Sequence, residues 1–521
     1  MTETLPDVGG FPGFGEDAPL DLGDLSPAVV AGMVGRFRDG SMPALTDALA
    51  SVGYCSHPIR LQGTSTTVDA GTGEVLGEYS SADAPLGVLL RPCGNRRADV
   101  CPACSRTYAR DTFAMIRSGL MGGKTVPETV AGNPLVFATL TAPSFGHVHG
   151  TRPKNGHKTG GRCRPYDRAK VCEHGRPKGC MAVHTEDDER VGSPLCWDCY
   201  DWTSALVWQW WAPELWRRFT ICLRRHLAGY LGTTDSGLRD VASVQFAKVA
   251  EYQARGLVHF HALVRLDGPD GPGSPAPVDG ESLAGLIREA GLGVRLDVPA
   301  VDGADVPRVL AFGSQLDART VRTGLPQGPA GADVDDARTS DTLMPEQVAG
   351  YLAKYSTKST GVDPASPRPH LARLIRQAHH LAHRATTACR TAGDDTDDGC
   401  TCGQCADSPY RLLGKWAHML GFRGHFSTKS RRYSVTLGRL RTARARFARL
   451  RAEAERTGEP LDVADLEARL LAEDDDGTTL VVGAWTYAGS GWTTTGEKEL
   501  AEAAAARARE YAQWKATTRT A

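Results

Sequence analysis

The stretch that most constrains this chain is a pair of alternating segments around a turn: Val249-Ala250-Glu251-Tyr252, then Gln253-Ala254-Arg255-Gly256, then Leu257-Val258-His259-Phe260-His261-Ala262-Leu263-Val264. Side chains of a strand alternate between its faces, so Val258, Phe260 and Ala262 point into a core while His259 and His261 point together the other way. Gly256 supplies turn geometry, and the pattern predicts an antiparallel hairpin. Leu135–Thr141, rich in β-branched and aromatic residues and stopped by Pro143, is a candidate neighbour of the histidine strand. Two imidazoles side by side can hold one divalent metal. A carboxylate from Glu251 would complete a site that leaves open positions on Mg²⁺ or Mn²⁺ for phosphate oxygens and water.

About ninety residues further on stands Tyr351-Leu352-Ala353-Lys354-Tyr355-Ser356-Thr357-Lys358. Residues four apart share a helix face, so Tyr351 and Tyr355 would stack one turn apart, with Lys354 and Lys358 paired nearby. Met344-Pro345-Glu346 is a suitable helix start. The chain uses 48 arginines against 12 lysines, so lysines at these two positions depart from its habit. A compact ammonium beside a phenol suits phosphoryl transfer better than a guanidinium fork. Taken singly, a His-x-His strand or a tyrosine pair also serves ordinary packing. Their presence in one chain, in this order, points to chemistry.

Phe137-Ala-Thr-Leu-Thr141, His259-Phe-His261 and Tyr351-Leu-Ala-Lys-Tyr355 resemble motifs one, two and three of the HUH endonucleases, in the order used by rolling-circle replication initiators. Arg91-Pro-Cys-Gly-Asn-Arg-Arg97, Ala212-Pro-Glu-Leu-Trp-Arg-Arg218 and Gly424-His-Phe-Ser-Thr-Lys-Ser-Arg-Arg-Tyr433 look like the replication initiators of actinomycete plasmids, a similarity spanning roughly residues 85 to 510. The resemblance implies an α+β fold with a central antiparallel sheet flanked by helices. It also implies nicking and joining of single-stranded origin DNA through a 5′-phosphotyrosine, leaving a 3′-hydroxyl primer, with helicase and DNA polymerase supplied by the host. His259 and His261 match the metal-binding histidines. Tyr355 matches the initiating nucleophile and Tyr351 the second, whereas Glu251 lies one residue further from the histidines than in some relatives. A Rep-like single-strand transposase shares both motifs, and a zinc-stabilised DNA-binding regulator without catalysis is a third reading. Ser118-Gly-Leu-Met-Gly-Gly-Lys-Thr125 lacks the first glycine of a phosphate loop, so no ATP chemistry is expected.

Fourteen cysteines, in a chain whose first residues carry no basic-plus-apolar signal, argue for a cytoplasmic protein that uses thiolates as metal ligands. Two Cys-x-x-Cys knuckles, Cys101/Cys104 and Cys196/Cys199, point to structural zinc. Cys93, Cys101 and Cys104 make one cluster and Cys163, Cys172, His174, Cys180, His184, Cys196 and Cys199 a second; the preferred sets are Cys172, Cys180, Cys196 and Cys199 for one ion, and Cys93, Cys101, Cys104 and Cys163 for another. Cys400, Cys402 and Cys405, with Cys389, could bind a third.

A net charge of −1 conceals asymmetry: from Arg411 to Arg451 there are twelve Lys or Arg and no Asp or Glu. Lys429, Arg431, Arg432, Arg439 and Arg441, with interleaved aromatics, suit phosphate contact and base stacking. The alternative is a solvated helix face paired with the acids near Glu453. No run of 18 apolar residues occurs, which excludes a spanning helix. The expected organisation is an acidic disordered tail (1–40), a mixed unit with the first cysteine cluster (41–130), an HUH-type domain with strands at 135–141, 241–252 and 257–266, a further strand near 308–323 and a cysteine-rich insertion at 160–200 (131–360), a helical basic DNA-binding region (361–455) and a helix-hairpin-helix with a helix near 458–473 and a hairpin around Gly489 (456–521).

Overall fold

The computed structural model describes residues 26–84, 86–154, 157–165, 170–322, 345–357, 367–387, 403–461, 463, 465–472 and 479–520. The chain forms two compact units, Met1–Asp111 with Ala472–Ala521, and Thr112–Leu471. This differs from the expected organisation at both ends: Pro27–Arg38, placed in the expected disordered tail, is a helix, and the first unit's N-terminal part ends at Asp111, not at 130. Thr479–Ser490 is one long strand that pairs antiparallel with Ile59–Asp69, where a hairpin around Gly489 was expected. The C-terminal segment therefore completes the N-terminal sheet.

The second unit is built on a five-stranded sheet with every pairing antiparallel, in the order Leu316–Arg322, Leu135–Thr141, Val258–Asp267, Ser243–Tyr252, Ser427–Lys429. Strands expected at 135–141, 241–252 and 257–266 thus form within two residues of their expected limits. The strand expected near 308–323 splits into Arg308–Leu310 and Leu316–Arg322, which join different sheets. Buried Phe312 packs on Trp208 and Phe260, and Gly313 N–H donates to Thr141 O at 2.7 Å, so the chain must turn between them. The edge strand Ser427–Lys429 lies inside the region expected to be helical. It is pinned because Phe426 and Tyr433, on either side of it, are both buried. The helix expected near 458–473 is confined to Leu466–Leu471, since the preceding helix, Leu437–Thr457, ends at Gly458 with φ +73°.

One face of this sheet carries Val136, Ala138, Leu140, Phe260, Ala262 and Val264 and is covered by the helices Trp202–Tyr230, Gly280–Gly293 and Pro369–Thr387. The tryptophan-rich helix runs unbroken past Pro213 and buries Trp208 and Trp210 fully. Each large apolar side chain so buried stabilises by roughly 1.5–3 kcal/mol, which lets the opposite face carry polar groups. Gln209 of this helix donates from Nε2 to Gly256 O (3.4 Å) and accepts from Val258 N–H (3.0 Å), tying the hairpin turn to the core. Gly256 has φ +82°, and a Cβ there would lie 2.8 Å from both Leu371 and Leu374. The positive φ disfavours any other residue here, and a Cβ would also force the Leu371 and Leu374 methyls to move.

The second face holds Leu135, Ala247, Val249 and Leu263 under Met115, Ile116 and Leu120, and under Val348, Ala349 and Leu352 of the helix Pro345–Ser356. At the far end of the histidine strand, Arg265 is fully buried in a two-bond pair with Asp267, at 2.9 Å each, and also donates to Gly119 O and Tyr433 O. Asp267 accepts further from Asn133 Nδ2 at 2.7 Å. A buried pair with its remaining positions satisfied is costly to break from one side only.

Candidate metal and tyrosine site

Register places the polar cluster. Glu251 is the cross-strand partner of His259, and His261 is the partner of Thr139. Because His259 and His261 are two apart, both project from the face opposite Phe260, as alternation requires. His259 Nε2 lies 3.1 Å and His261 Nε2 3.3 Å from the same Glu251 Oε2. These are near the roughly 3 Å edges that six-coordinate ligation at about 2.1 Å would give, so the donor set fits a small divalent ion. Side-chain exposures of 8% for Glu251, 5% for His261 and 18% for His259 put the open side at His259. Burial lowers the pKa of His261, with Glu251 acting in the opposite sense, so the ring favours the neutral form that ligates. Thr139 Oγ1 sits 3.1 Å from His261 Nδ1, which orients the ring and leaves Nε2 toward Glu251.

The tyrosine helix, Pro345–Ser356, packs Val348, Ala349 and Leu352 onto the sheet, and this aims Tyr351 at the cluster. The Tyr351 ring stands edge-on to His261 (centroids 5.4 Å, 79°) and to Phe137 (6.1 Å, 83°), while Phe137 stacks on His261 at 5.6 Å. Tyr351 is 40% exposed, so its phenol is reachable from outside. Tyr355 lies one turn on in the same helix, with its side chain outside the described residues. Lys354 is exposed on that helix, and Lys358 lies outside the described residues.

The cysteines assort into clusters that differ from those expected. Cys93, Cys101 and Cys104 are joined by Cys55, not Cys163. Cys172, Cys196 and Cys199 are joined by His174, not Cys180. Cys163 and Cys180 belong with His149 and His184. A tetrahedral zinc ion with thiolate and imidazole ligands spaces sulfurs about 3.8 Å apart and sulfur from nitrogen about 3.5 Å. Cys55 and Cys101 sulfurs stand 3.8 Å apart, and Cys199 Sγ is 3.2 Å from His174 Nδ1. Cys55 and His149 were missed because each stands far along the chain from any knuckle. Of the further set, Cys389, Cys400 and Cys402 lie outside the described residues, and Cys405 is buried.

The basic segment divides into two kinds of residue. Arg431, Arg432 and Arg441 are exposed. Lys429 Nζ instead donates to Ser434 O (2.6 Å), Ser430 O and Arg431 O, and burial lowers its pKa to about 8. Arg439 Nε donates to Leu471 O at 2.8 Å, so it braces the short helix behind it. Arg431 and Arg432 line a cavity of about 390 Å³ together with Arg224 and Arg239.

The geometry defines an α+β protein whose antiparallel sheet and cysteine clusters could bind metal, with a helix-borne tyrosine against one of those sites. Residues 41–506 match the family model RepSA, described as "Replication initiator protein, pSAM2". The chain belongs to this family of replication initiators. It is also 38% identical, over 93% of its own length and 92% of the relative's, to a "Replication initiator protein" of Streptomyces ambofaciens. No solved structure matches. Among the described residues, no helix is long and apolar enough to cross a membrane.

Proposed function

We propose that this replication initiator binds single-stranded DNA at a plasmid origin and cuts and rejoins it through a tyrosine, as an HUH endonuclease. The observation that carries the reading is the Tyr351 ring edge-on to His261 of the Glu251–His259–His261 cluster. Phenol has a pKa near 10, so attack on a phosphodiester at neutral pH needs stabilisation of the developing negative charge. A divalent ion, Mg²⁺ or Mn²⁺, held by Glu251, His259 and His261 would supply Lewis-acid polarisation of the scissile phosphate. Phe137 and His261 hold the Tyr351 ring by its edge, which restricts where the phenol oxygen can lie. Attack by that oxygen forms a 5′-phosphotyrosine and releases a 3′-hydroxyl, which a host polymerase would extend behind a host helicase. The described geometry supports Tyr351 as a nucleophile. Tyr355, one turn away, is the residue the family resemblance favours for the first cut. Lys354 and Lys358 would add positive charge beside them. Zinc in the two knuckle-containing clusters would hold segments that have few apolar residues of their own.

The test incubates the full chain with labelled single-stranded origin DNA and Mn²⁺ and looks for a covalent band on a denaturing gel. A band that is lost in one of Tyr351→Phe and Tyr355→Phe and kept in the other names the initiating residue. Absence of any band with wild type, where binding persists, would replace this reading with that of a non-catalytic regulator. A band undiminished when both tyrosines are substituted would remove the tyrosine assignment.

A further inference from the structure

We infer that His149, Cys163, Cys180 and His184 bind a zinc ion of their own, and that this ion braces the turn of the hairpin that carries Glu251 and His259. The four ligand atoms lie within 4.8 Å of one another. His149 Nδ1 is 3.2 Å from His184 Nε2, and Cys180 Sγ is 3.5 Å from the same Nε2. Those spacings match the edges of about 3.3 and 3.5 Å that tetrahedral zinc with two sulfurs and two nitrogens requires.

The surroundings are those of a built site. His184 is fully buried, and its other nitrogen, Nδ1, lies 2.7 Å from Asp188 Oδ2, which sets the tautomer that leaves Nε2 free to ligate. Asp188 is itself held by Arg190 through three bonds of 2.8–3.1 Å. Gly150 N–H donates to Cys163 Sγ at 3.2 Å, a contact that favours the thiolate. Without an ion, this arrangement would place two imidazoles and two sulfurs in mutual contact with few donors to share among them.

A short path joins these ligands to the hairpin. His149 exchanges backbone hydrogen bonds with its neighbours across the loop, His149 N–H to Ser193 O and Gly192 N–H to His149 O, both 2.9 Å. Gly192, at φ +93°, presses on the hairpin turn so closely that a Cβ would lie 2.1 Å from Ala254 O. Arg255, next in that turn, donates to Pro143 O and Ala142 O at 2.8 Å, at the end of the strand that carries Thr139. The ligand His149, Gly192 and the turn also wall one cavity of about 560 Å³. Zinc at this position therefore holds the loop that holds the turn, and the turn sets the spacing of Glu251 against His259.

Native mass spectrometry of the full chain tests the site. Cys163→Ser should carry one zinc fewer than wild type, and His149→Cys should keep the wild-type count, because a third thiolate can replace the imidazole. An unchanged count in Cys163→Ser overturns the site. If that variant does not fold, the wild type decides: the cadmium-substituted chain should show a ¹¹³Cd resonance of two-sulfur, two-nitrogen type, upfield of the sulfur-rich sites, and its absence overturns the site equally. The bracing role is read by hydrogen exchange. Amides of Gln253–Gly256 should exchange severalfold faster in Cys163→Ser, with Ile59–Asp69 unchanged. Unaltered exchange at the turn overturns that role.

Discussion

Replacing Thr139 by valine isolates one hydrogen bond in the metal cluster while keeping side-chain volume. When Nε2 of His261 ligates a metal, Nδ1 must carry the proton, and Thr139 Oγ1 is 3.1 Å away to accept it. In Thr139→Val that N–H loses its partner. The His261 side chain is only 5% exposed, so water cannot replace the hydroxyl freely. An unsatisfied buried donor costs about 1–3 kcal/mol. The metal-free protein escapes this cost, because the ring can shift its proton to Nε2 and donate to Glu251, 3.3 Å away. The penalty therefore falls on the bound state alone. Affinity for Mn²⁺ should drop by about 10–100-fold, the usual effect of removing a partner that orients a metal-bound histidine. Titration of free Mn²⁺ by electron paramagnetic resonance measures this directly, with global stability followed by denaturant unfolding as a control. An unchanged Mn²⁺ affinity in a folded Thr139→Val protein would refute the assignment of His261 as a ligand through Nε2.

Three further outcomes are expected. Burial lowers the pKa of Lys248 to about 7, against about 10.4 in an unfolded chain. Between those values the unfolded state binds the proton and the folded state does not, so stability rises with pH across that window, and the full penalty applies below it. Lys248→Met removes this penalty together with the Nζ hydrogen bond to His425 O (3.1 Å) and the contacts with the Trp216 and Phe260 faces, so its stability relative to wild type should carry a pH-dependent gain of up to roughly 4 kcal/mol at pH 6. That gain should fade by pH 10, and equal gains at both pH values in denaturant unfolding would contradict it. Gly256→Ala forces a Cβ to 2.8 Å from Leu371 and Leu374 at positive φ, and should lose about 2–4 kcal/mol of stability. Removing exposed Arg431 or Arg432 should weaken binding of single-stranded DNA at all sequences and lower the salt slope by about 0.7 per contact. Lys429→Ala, whose ammonium is committed to backbone carbonyls, should instead register as a loss of stability.

Local pattern was sufficient for the three central strands and for the placement of the triad. Alternation through Val258–Val264 requires the two histidines to share a face, and Gly256 in a four-residue turn brings Glu251 opposite His259. These are short-range consequences of backbone geometry, so they hold wherever the hairpin sits in the fold. The tyrosine helix was also legible, from its proline start and four-residue repeat. Its approach to His261 through Phe137 was not, because that depends on how Val348 and Leu352 seat on the sheet.

The cysteine clusters divide the same way. Two knuckles were visible because each places two thiolates three residues apart. Their remaining ligands, Cys55 and His174, and the whole set of His149, Cys163, Cys180 and His184, come from positions that only folding brings within 4.8 Å. Chain separation carries no information about such contacts when the intervening loops are long. The C-terminal segment shows the same limit. Thr479–Ser490 carries a strand pattern, yet a strand pattern specifies a pleated surface and not its partner, and Ile59–Asp69, some four hundred residues away in sequence, supplies the matching edge. What the sequence by itself determined was the conformation of the central hairpin and the tyrosine helix, and the face that each of their side chains takes. Only the tertiary structure decided which distant faces meet, because those meetings are set by packing and backbone pairing across the fold.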